Sequence, residues 1–202
     1  MTKKLCGFAA VFVLLVGATP AQAQFELEPY LGVYIPTQDL IDQEVTPGVQ
    51  VTGSQKEALA VGARLGYGFG PFGIEGNFLY AFSDAEGTDE AGDPVPDESA
   101  AVWTADGRLV WKVLPVGPVG IHLSGGVALI GRSGDAYQDV EEGKTDVGGV
   151  LGAGVKIKLP GMFAIRGDLD VFGYEAGIEA ADSQFQVDVV ASAGLVFQFG
   201  VM

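Results

Sequence analysis

Few residues of this chain have side chains that could catalyse a reaction. The 202 residues include one His and one Cys, which removes most thiol, zinc and histidine chemistry. His122 and Ser124 stand two residues apart, and such a pair could act as base and nucleophile if a third group oriented the imidazole. The sequence places no evident acidic partner beside them. We therefore predict that the chain is not an enzyme.

A run of carboxylates between residues 84 and 98 is the second set of candidate side chains. Carboxylate oxygens are the ligands that Ca²⁺ and Mg²⁺ prefer. The run lacks the ordered spacing of an EF-hand loop, so it favours a solvated acidic loop, with weak cation association as the alternative. The candidate ligands are Asp84, Glu86, Asp89, Glu90 and Asp93. We predict neither a defined metal centre nor a cofactor.

The overall charge limits the classes of partner. Lys and Arg number 11 against 26 Asp and Glu, which gives a formal net charge of -15. Such a chain would repel nucleic-acid phosphates, so we predict no nucleic-acid partner. Hydrophobic residues make up 48% of the sequence, which is too apolar for a disordered chain.

The first 23 residues have the pattern of a Sec-type secretory signal peptide. Two lysines precede an apolar run at residues 5–16, and residues 21–23 read Ala-Gln-Ala, a small-x-small cleavage site. We predict cleavage there, which leaves residues 24–202 as one domain. A retained helical anchor is the alternative, although the apolar run is shorter than the roughly 20 residues that span a membrane.

Eight later segments alternate between apolar and polar residues with a period of two. This period places successive side chains on opposite faces of a β-strand. One face of each segment carries no charge, whereas the other carries Gly, Ala, Ser and most charged residues. The apolar faces run over Phe25–Ile35, Leu59–Phe69, Phe72–Phe82, Ala101–Val113, Val119–Leu129, Val147–Leu159, Phe163–Val171 and Phe185–Phe199. Eight strands of about ten residues are typical of a closed membrane barrel. Lipid hydrocarbon offers no hydrogen-bond partner, and closure of the barrel pairs every backbone group between strands.

The connections between the segments alternate in length. Short joins contain Gly70-Pro71, residues 114–118 and Pro160-Gly161. The long polar stretches cover residues 36–57, 83–100, 131–145 and 174–184. The sequence therefore predicts an all-β fold, an eight-stranded antiparallel up-and-down transmembrane β-barrel with long extracellular loops and short periplasmic turns.

Alternation alone is also compatible with a soluble, exported lipocalin-like binding barrel whose apolar face points inward. Two features favour apolar side chains outside. Small residues dominate the polar face, as a crowded interior requires, and aromatic residues of the apolar face lie near the strand ends, where membrane interfaces would be. We therefore predict an integral outer-membrane protein, with the soluble barrel as the alternative.

A narrow lumen would have to accommodate the charges of the polar faces. Arg64 and Glu75 flank the join at Gly70-Pro71, which places them directly or diagonally across from each other. Unpaired charges in such a space are costly, so we predict a plug of salt bridges in preference to an ion path. The predicted network contains Arg64, Glu75, Asp106, Arg108, Lys112, Arg166, Asp168, Asp170 and Asp188. The other inward-facing charges are Glu26, Glu28, Asp146, Lys156 and Lys158.

The chain resembles the family of small eight-stranded outer-membrane barrels, the OmpA-like and OmpX-like group with an outer membrane protein beta-barrel domain. Residues 30–40, Tyr-Leu-Gly-Val-Tyr-Ile-Pro-Thr-Gln-Asp-Leu, are similar to the first strand and lip of that family. The family usually ends on an aromatic residue that the barrel-assembly machinery recognises, whereas here Gly200-Val201-Met202 follow Phe199. The resemblance implies a Gram-negative-type outer membrane, contact with lipid and lipopolysaccharide, and insertion by that machinery.

These features predict a structural or surface-interaction role in the bacterial envelope, with the loops presenting the variable surface. The sequence indicates no particular extracellular partner. A narrow porin-like channel for small solutes is the main alternative. A lipid A-modifying enzyme is a further alternative, because the His-x-Ser pair at residues 122–124 is faintly similar to the catalytic pair of outer-membrane lipid A deacylases.

Overall fold

The computed structural model describes residues 24–37, 41–46, 49–88, 94–134, 145–176 and 184–200. The predicted signal peptide lies outside these residues. The described part of the chain contains no helix that is long and apolar enough to cross a bilayer. The strands in the described part of the chain are β1 Gln24–Pro36, β2 Ile41–Thr46, β3 Val49–Gln55, β4 Ala58–Phe69, β5 Phe72–Ala81, β6 Asp84–Thr88, β7 Pro94–Ser99, β8 Ala101–Val116, β9 Val119–Ser133, β10 Thr145–Lys158, β11 Phe163–Ala176 and β12 Gln184–Gly200.

Eight of these strands close into an antiparallel barrel. Their order around the barrel is β1-β12-β11-β10-β9-β8-β5-β4, and β4 pairs with β1 to complete the ring. The first and last strands meet along most of their length, from Phe25 opposite Phe199 to Ile35 opposite Val189. Each predicted apolar face belongs to one of these strands, so the predicted eight-stranded up-and-down barrel is confirmed.

Two stretches predicted as loops contain additional strands. Strands β2 and β3 form one hairpin, β6 and β7 form another, and β3 pairs with β6 to give a four-stranded sheet separate from the barrel ladder. The signal for β3 was present in Val49 and Val51, because β-branched residues at alternate positions favour a strand. The many Gly, Asp and Pro residues around these short strands obscured it.

The apolar faces of the barrel strands point outward. Leu31, Leu109 and Val127 are 68%, 67% and 69% exposed. Every barrel strand carries further large apolar side chains that are exposed. A continuous apolar surface of this kind is stable against lipid hydrocarbon and unfavourable in water. The orientation excludes the soluble barrel with an apolar interior.

Three short joins mark one end of the barrel, which we call the turn end; the other is the loop end. Gly70, Gly117 and Gly161 lie in these joins with backbone φ angles of 63°, 61° and 84°. Residues with a Cβ rarely adopt positive φ angles of this size. Aromatic side chains lie at both ends. The Phe163–Phe197 pair is at the turn end, with ring centroids 5.5 Å apart, and the Tyr80–Phe82 pair is at the loop end, with ring centroids 5.0 Å apart. The apolar surface is therefore bounded by two aromatic belts.

Candidate functional site

The centre of the barrel lumen is filled by charged side chains that pair across it. Three guanidinium groups face five carboxylates, and none of these eight side chains is more than 4% exposed. We call this group the central network, and its members are Glu28, Arg64, Glu75, Asp106, Arg108, Arg166, Asp168 and Asp170. They lie on β1, β4, β5, β8 and β11, so the network crosses the lumen instead of following one hairpin.

Arg64 on β4 contacts the most carboxylates of any member. Its Nη1 donates to Glu28 Oε1 at 2.8 Å and to Asp168 Oδ2 at 3.1 Å. Its Nη2 donates to Asp170 Oδ2 at 3.2 Å and to Ser192 Oγ at 2.8 Å. Glu28 is directly opposite Arg64 in the β1–β4 ladder, whereas the two aspartates reach it from β11 across the lumen. One guanidinium therefore holds two sides of the barrel together.

Glu75 lies diagonally across from Arg64, with 3.9 Å between Arg64 Nε and Glu75 Oε1. In the β4–β5 ladder, Arg64 is opposite Asn77 and Glu75 is opposite Gly66, which accounts for the diagonal. Glu75 is closer to Arg166 on β11, whose Nη1 donates to Glu75 Oε2 at 2.5 Å. Strands β5 and β11 are on opposite sides of the eight-stranded ring, so this bond spans the full width of the lumen.

Arg108 on β8 completes the central network. It binds Asp106 through two hydrogen bonds, Nε to Oδ1 at 2.7 Å and Nη2 to Oδ2 at 2.9 Å. Its Nη1 also donates to Asp170 Oδ1 at 2.6 Å. Asn77 donates to the second oxygen of Asp106 at 2.7 Å. These charge-assisted bonds offset the cost of taking the ions out of water.

The structure brings together seven of the nine residues predicted for the interior network and separates the other two. The seven are Arg64, Glu75, Asp106, Arg108, Arg166, Asp168 and Asp170. Lys112 lies near the turn end, where a Cβ added to Gly68 would be 2.9 Å from its Nζ. Asp188 lies toward the loop end, where its Oδ2 accepts hydrogen bonds from Tyr34 at 2.6 Å and from Tyr174 at 2.7 Å.

His122 has an acidic partner that the sequence did not reveal. Its Nε2 lies 2.7 Å from Asp168 Oδ1, and the two residues are 46 positions apart in the chain. They occupy β9 and β11, whose inward faces meet across the intervening β10. The expectation of no acidic residue beside His122 was therefore wrong, because barrel curvature, not sequence distance, sets the contact.

Ser124 is not assembled with His122 as a nucleophile. Its Oγ is buried and has no hydrogen-bond partner among the described residues. Activation of a serine by an imidazole requires a hydrogen bond between them. The geometry thus places an orienting carboxylate beside the imidazole, and leaves the hydroxyl disconnected from it.

Two inward-facing glycines of β10 provide room for these side chains. A Cβ on Gly154 would lie 2.3 Å from Asp168 Oδ1 and 2.5 Å from His122 Cε1. A Cβ on Gly152 would lie 2.2 Å from Asp170 Oδ1 and 2.5 Å from Ser124 Oγ. Real Cβ atoms do not approach other atoms so closely, so β10 must be bare at both positions.

We expect Gly154→Ala to lower the free energy of unfolding by about 1–3 kcal/mol, because the added methyl group would overpack the lumen and displace His122 and Asp168. Urea unfolding of the refolded protein in phospholipid vesicles measures this change. Gly149→Ala on the outward face of the same strand is the matched control, since its Cβ would meet only Gly126 O at 3.8 Å. Equal stability of the two variants would contradict the crowding seen at Gly154.

A layer of apolar side chains fills the lumen between the central network and the loop end. These side chains are at most 1% exposed, and they project inward from seven strands. The largest are Tyr34, Leu79, Val102, Ile130, Val150, Phe172 and Val190. We call them the apolar layer. The lumen is therefore closed at two successive levels, by the central network and by the apolar layer.

A second polar cluster lies at the loop end of the apolar layer. Arg132 was grouped with a loop in the sequence, but it is 5% exposed inside the barrel and donates to Asp146 Oδ2 at 2.6 Å. Its guanidinium carbon lies 5.4 Å from the centre of the Tyr174 ring, and Tyr174 in turn binds Asp188. This cluster places the Arg132 guanidinium and the Asp188 carboxylate in contact with aromatic side chains, whereas Asp146 contacts the cation.

The candidate cation-binding carboxylates fall largely outside the described residues. Asp84 is exposed, and its backbone oxygen accepts a hydrogen bond from Lys56 N at 3.0 Å. The Glu86 backbone pairs opposite Ser54 in the four-stranded sheet. The remaining candidates, Asp89, Glu90 and Asp93, lie outside the described residues. Within the described part of the chain, no cluster of His, Cys, Asp or Glu side chains is arranged to hold a metal ion.

Known proteins share this architecture. The family described as outer membrane protein beta-barrel domain matches residues 8–199. Neisserial surface protein A has a TM-score of 0.64 at 11% identity, with 87% of this chain and 97% of that chain covered. OprG from Pseudomonas aeruginosa has a TM-score of 0.64 at 11% identity, with 90% and 98% covered. Ail of Yersinia pestis, in complex with the heparin analogue sucrose octasulfate, has a TM-score of 0.54 at 11% identity, with 88% and 99% covered.

At these identities the solved structures show a common fold. A comparison with curated protein sequences gives no significant match. The family match covers nearly the whole chain, and it agrees with the closed eight-stranded ring, the apolar exterior and the charged interior. The chain belongs to the family of outer-membrane proteins with an outer membrane protein beta-barrel domain.

Proposed function

We propose that this protein is a non-enzymatic, non-conducting barrel that acts in the bacterial envelope as a structural element or as a scaffold for surface interactions. The observation that supports this function is the double closure of the lumen. A solute moving along the barrel axis would meet the central network and then the apolar layer. Passage would require breaking several buried ion pairs, each of which is costly to separate.

The proposed location is the outer membrane of a Gram-negative-type bacterium, reached by means of a Sec-type signal peptide at residues 1–23. The turn end lies in the periplasm and the loop end outside the cell, as in other barrels with short periplasmic turns. The apolar exterior contacts lipid and lipopolysaccharide. The alternation of Leu195, Phe197 and Phe199 on β12 supports insertion by the barrel-assembly machinery.

The charge of the connecting stretches supports a cationic partner at the cell surface. Residues 36–57, 83–100, 131–145 and 174–184 together hold 18 Asp and Glu. They hold only three basic residues, of which Arg132 lies inside the barrel. Ail was crystallised with a heavily sulfated ligand. The acidic stretches of this chain would repel such a ligand, because like charges oppose association.

Enzymatic modification of lipid A has less support. Ser124 and His122 are 8% and 4% exposed, and the serine hydroxyl lacks the hydrogen bond that would activate it. The pair also lies inside the lumen on the turn-end side, away from the outer leaflet in the proposed orientation. We therefore assign His122 to the packing of Asp168.

Recording in a planar lipid bilayer tests the proposed closure. We expect no single-channel steps from the refolded protein under conditions in which a larger porin in the same bilayer gives them. Heat-sensitive electrophoretic mobility would establish that the sample is folded before recording. Reproducible steps from folded protein would overturn the proposal and favour a narrow channel.

A further inference from the structure

A cavity of about 120 Å³ lies inside the turn end of the barrel. This exceeds several-fold the roughly 10–15 Å³ that one water molecule needs. Arg166, His122 and Glu75 line its inner side, so the cavity ends at the central network. We call it the turn-end cavity.

Positive side chains dominate the lining of the turn-end cavity. Lys112, Lys156, Lys158 and Arg166 line it, against two carboxylates. Only five lysines follow residue 24, so three of the five are gathered here in a strongly acidic protein. The three come from β8 and β10, which do not pair with each other, so the fold itself brings them together.

Both carboxylates of the cavity are already neutralised. Glu75 binds Arg166, as described above, and Glu26 forms an ion pair with Lys156 and accepts a hydrogen bond from Gln198 Nε2 at 3.0 Å. Two positive charges, on Lys112 and Lys158, are therefore left over.

Lys112 and Lys158 have no carboxylate within ion-pair distance among the described residues. Lys112 is half-buried inside the wall of the barrel, and its ammonium group is held against Gly68 on β4. Its surroundings include the carboxylate of Glu26, which attracts it but is already paired with Lys156, and the positive charges of Lys156 and Lys158, which repel it. A half-buried ammonium group with two cationic neighbours is stabilised when an anion binds between them.

We propose that the turn-end cavity binds a compact oxyanion of the phosphate class, held between Lys112 and Lys158. A lysine ammonium is a compact charge with three donors and a frequent ligand of phosphate oxygens. The excess of two positive charges matches an anion that carries at least two negative charges. The anion is either a free phosphate compound or the headgroup of a phospholipid at the membrane interface.

Isothermal titration calorimetry with inorganic pyrophosphate tests the site, with the protein folded in maltoside micelles that contain no phosphate. We expect saturable binding at one site. Lys112→Met and Lys158→Met keep the apolar stem of the side chain and remove its charge, and each is expected to weaken binding about tenfold. Lys158 is exposed at the rim, so its variant remains informative if Lys112→Met fails to fold.

Lys56→Met is the matched control, because it removes the same charge between β3 and β4, away from the turn end. Its affinity for pyrophosphate is expected to stay within twofold of the original protein. Absence of saturable binding would overturn the proposal, and so would equal weakening by Lys56→Met and Lys158→Met.

A second titration distinguishes the two sources of the oxyanion. Short-chain phosphatidic acid that displaces pyrophosphate from the micellar protein with higher affinity would assign the site to a lipid headgroup. Pyrophosphate that binds more tightly than phosphatidic acid would assign it to a free phosphate compound. If each compound bound without displacing the other, the two would not share a site, and the proposal of one oxyanion site would be contradicted.

Discussion

Replacement of Arg64 with Ala is expected to destabilise the folded barrel by about 3–5 kcal/mol, because it breaks a buried ion-pair network by removing one partner. The change leaves Glu28, Asp168 and Asp170 without the hydrogen bonds that Arg64 donates. Urea unfolding in phospholipid vesicles, followed by the fluorescence of the two tryptophans, measures the loss.

Glu28→Gln is the informative comparison for Arg64→Ala. The central network holds five carboxylates and three guanidinium groups, so it keeps an excess of negative charge. Glu28 Oε2 makes no hydrogen bond among the described residues and lies 3.4 Å from Arg166 Nη1. Loss of this one negative charge is therefore expected to change stability by less than about 1 kcal/mol, the worth of a typical hydrogen bond. If both variants had the same free energy of unfolding as the original protein, the network would not stabilise the barrel. Unchanged stability together with new conductance in Arg64→Ala would favour the channel alternative.

Leu109→Lys is expected to destabilise the barrel by about 2–4 kcal/mol, because a lysine on the lipid face is costly near the bilayer midplane. Leu109 lies near the middle of β8 and is 67% exposed on the apolar exterior. The free energy of unfolding in vesicles measures the effect. In a soluble barrel, the same change on the exterior would have almost no cost.

Leu59→Lys provides a control at matched exposure and different depth. Leu59 is 72% exposed near the loop end of β4, where its carbonyl accepts a hydrogen bond from Phe82 N. Charges near the interface cost only about 0–1 kcal/mol. Equal effects of lysine at residues 59 and 109 would show that the exterior experiences no gradient of polarity and does not lie across a bilayer.

The barrel could be predicted from the sequence because each strand carries its own periodic pattern. The run from Leu59 to Phe69 places apolar residues at every second position, which fixes one face regardless of the partner strand. The small residues opposite them, such as Gly66 and Gly68, indicated the interior. Strand β3 and its sheet were missed because a short strand beside turn-forming residues has too little periodicity to be distinguished from a loop.

The contacts of the candidate site were only partly predictable. The join at Gly70-Pro71 sets the register that puts Arg64 and Glu75 close together on neighbouring strands, so this proximity could be predicted from spacing alone. By contrast, the contact of His122 with Asp168 depends on the curvature of a closed ring. Such a contact links residues on strands that do not pair, so spacing in the chain contains no information about it.

The distribution of the central network over five strands has a consequence for assembly. Its ion pairs join Glu28 on β1 to Arg64 and Arg166, and Arg166 to Glu75, which is 91 positions away in the chain. A partly inserted sheet would expose these ions singly to hydrocarbon, where each is costly. The guanidinium groups meet all of their carboxylate partners only when the first and last strands pair, so we expect closure of the ring and pairing of its charges to occur in one concerted step.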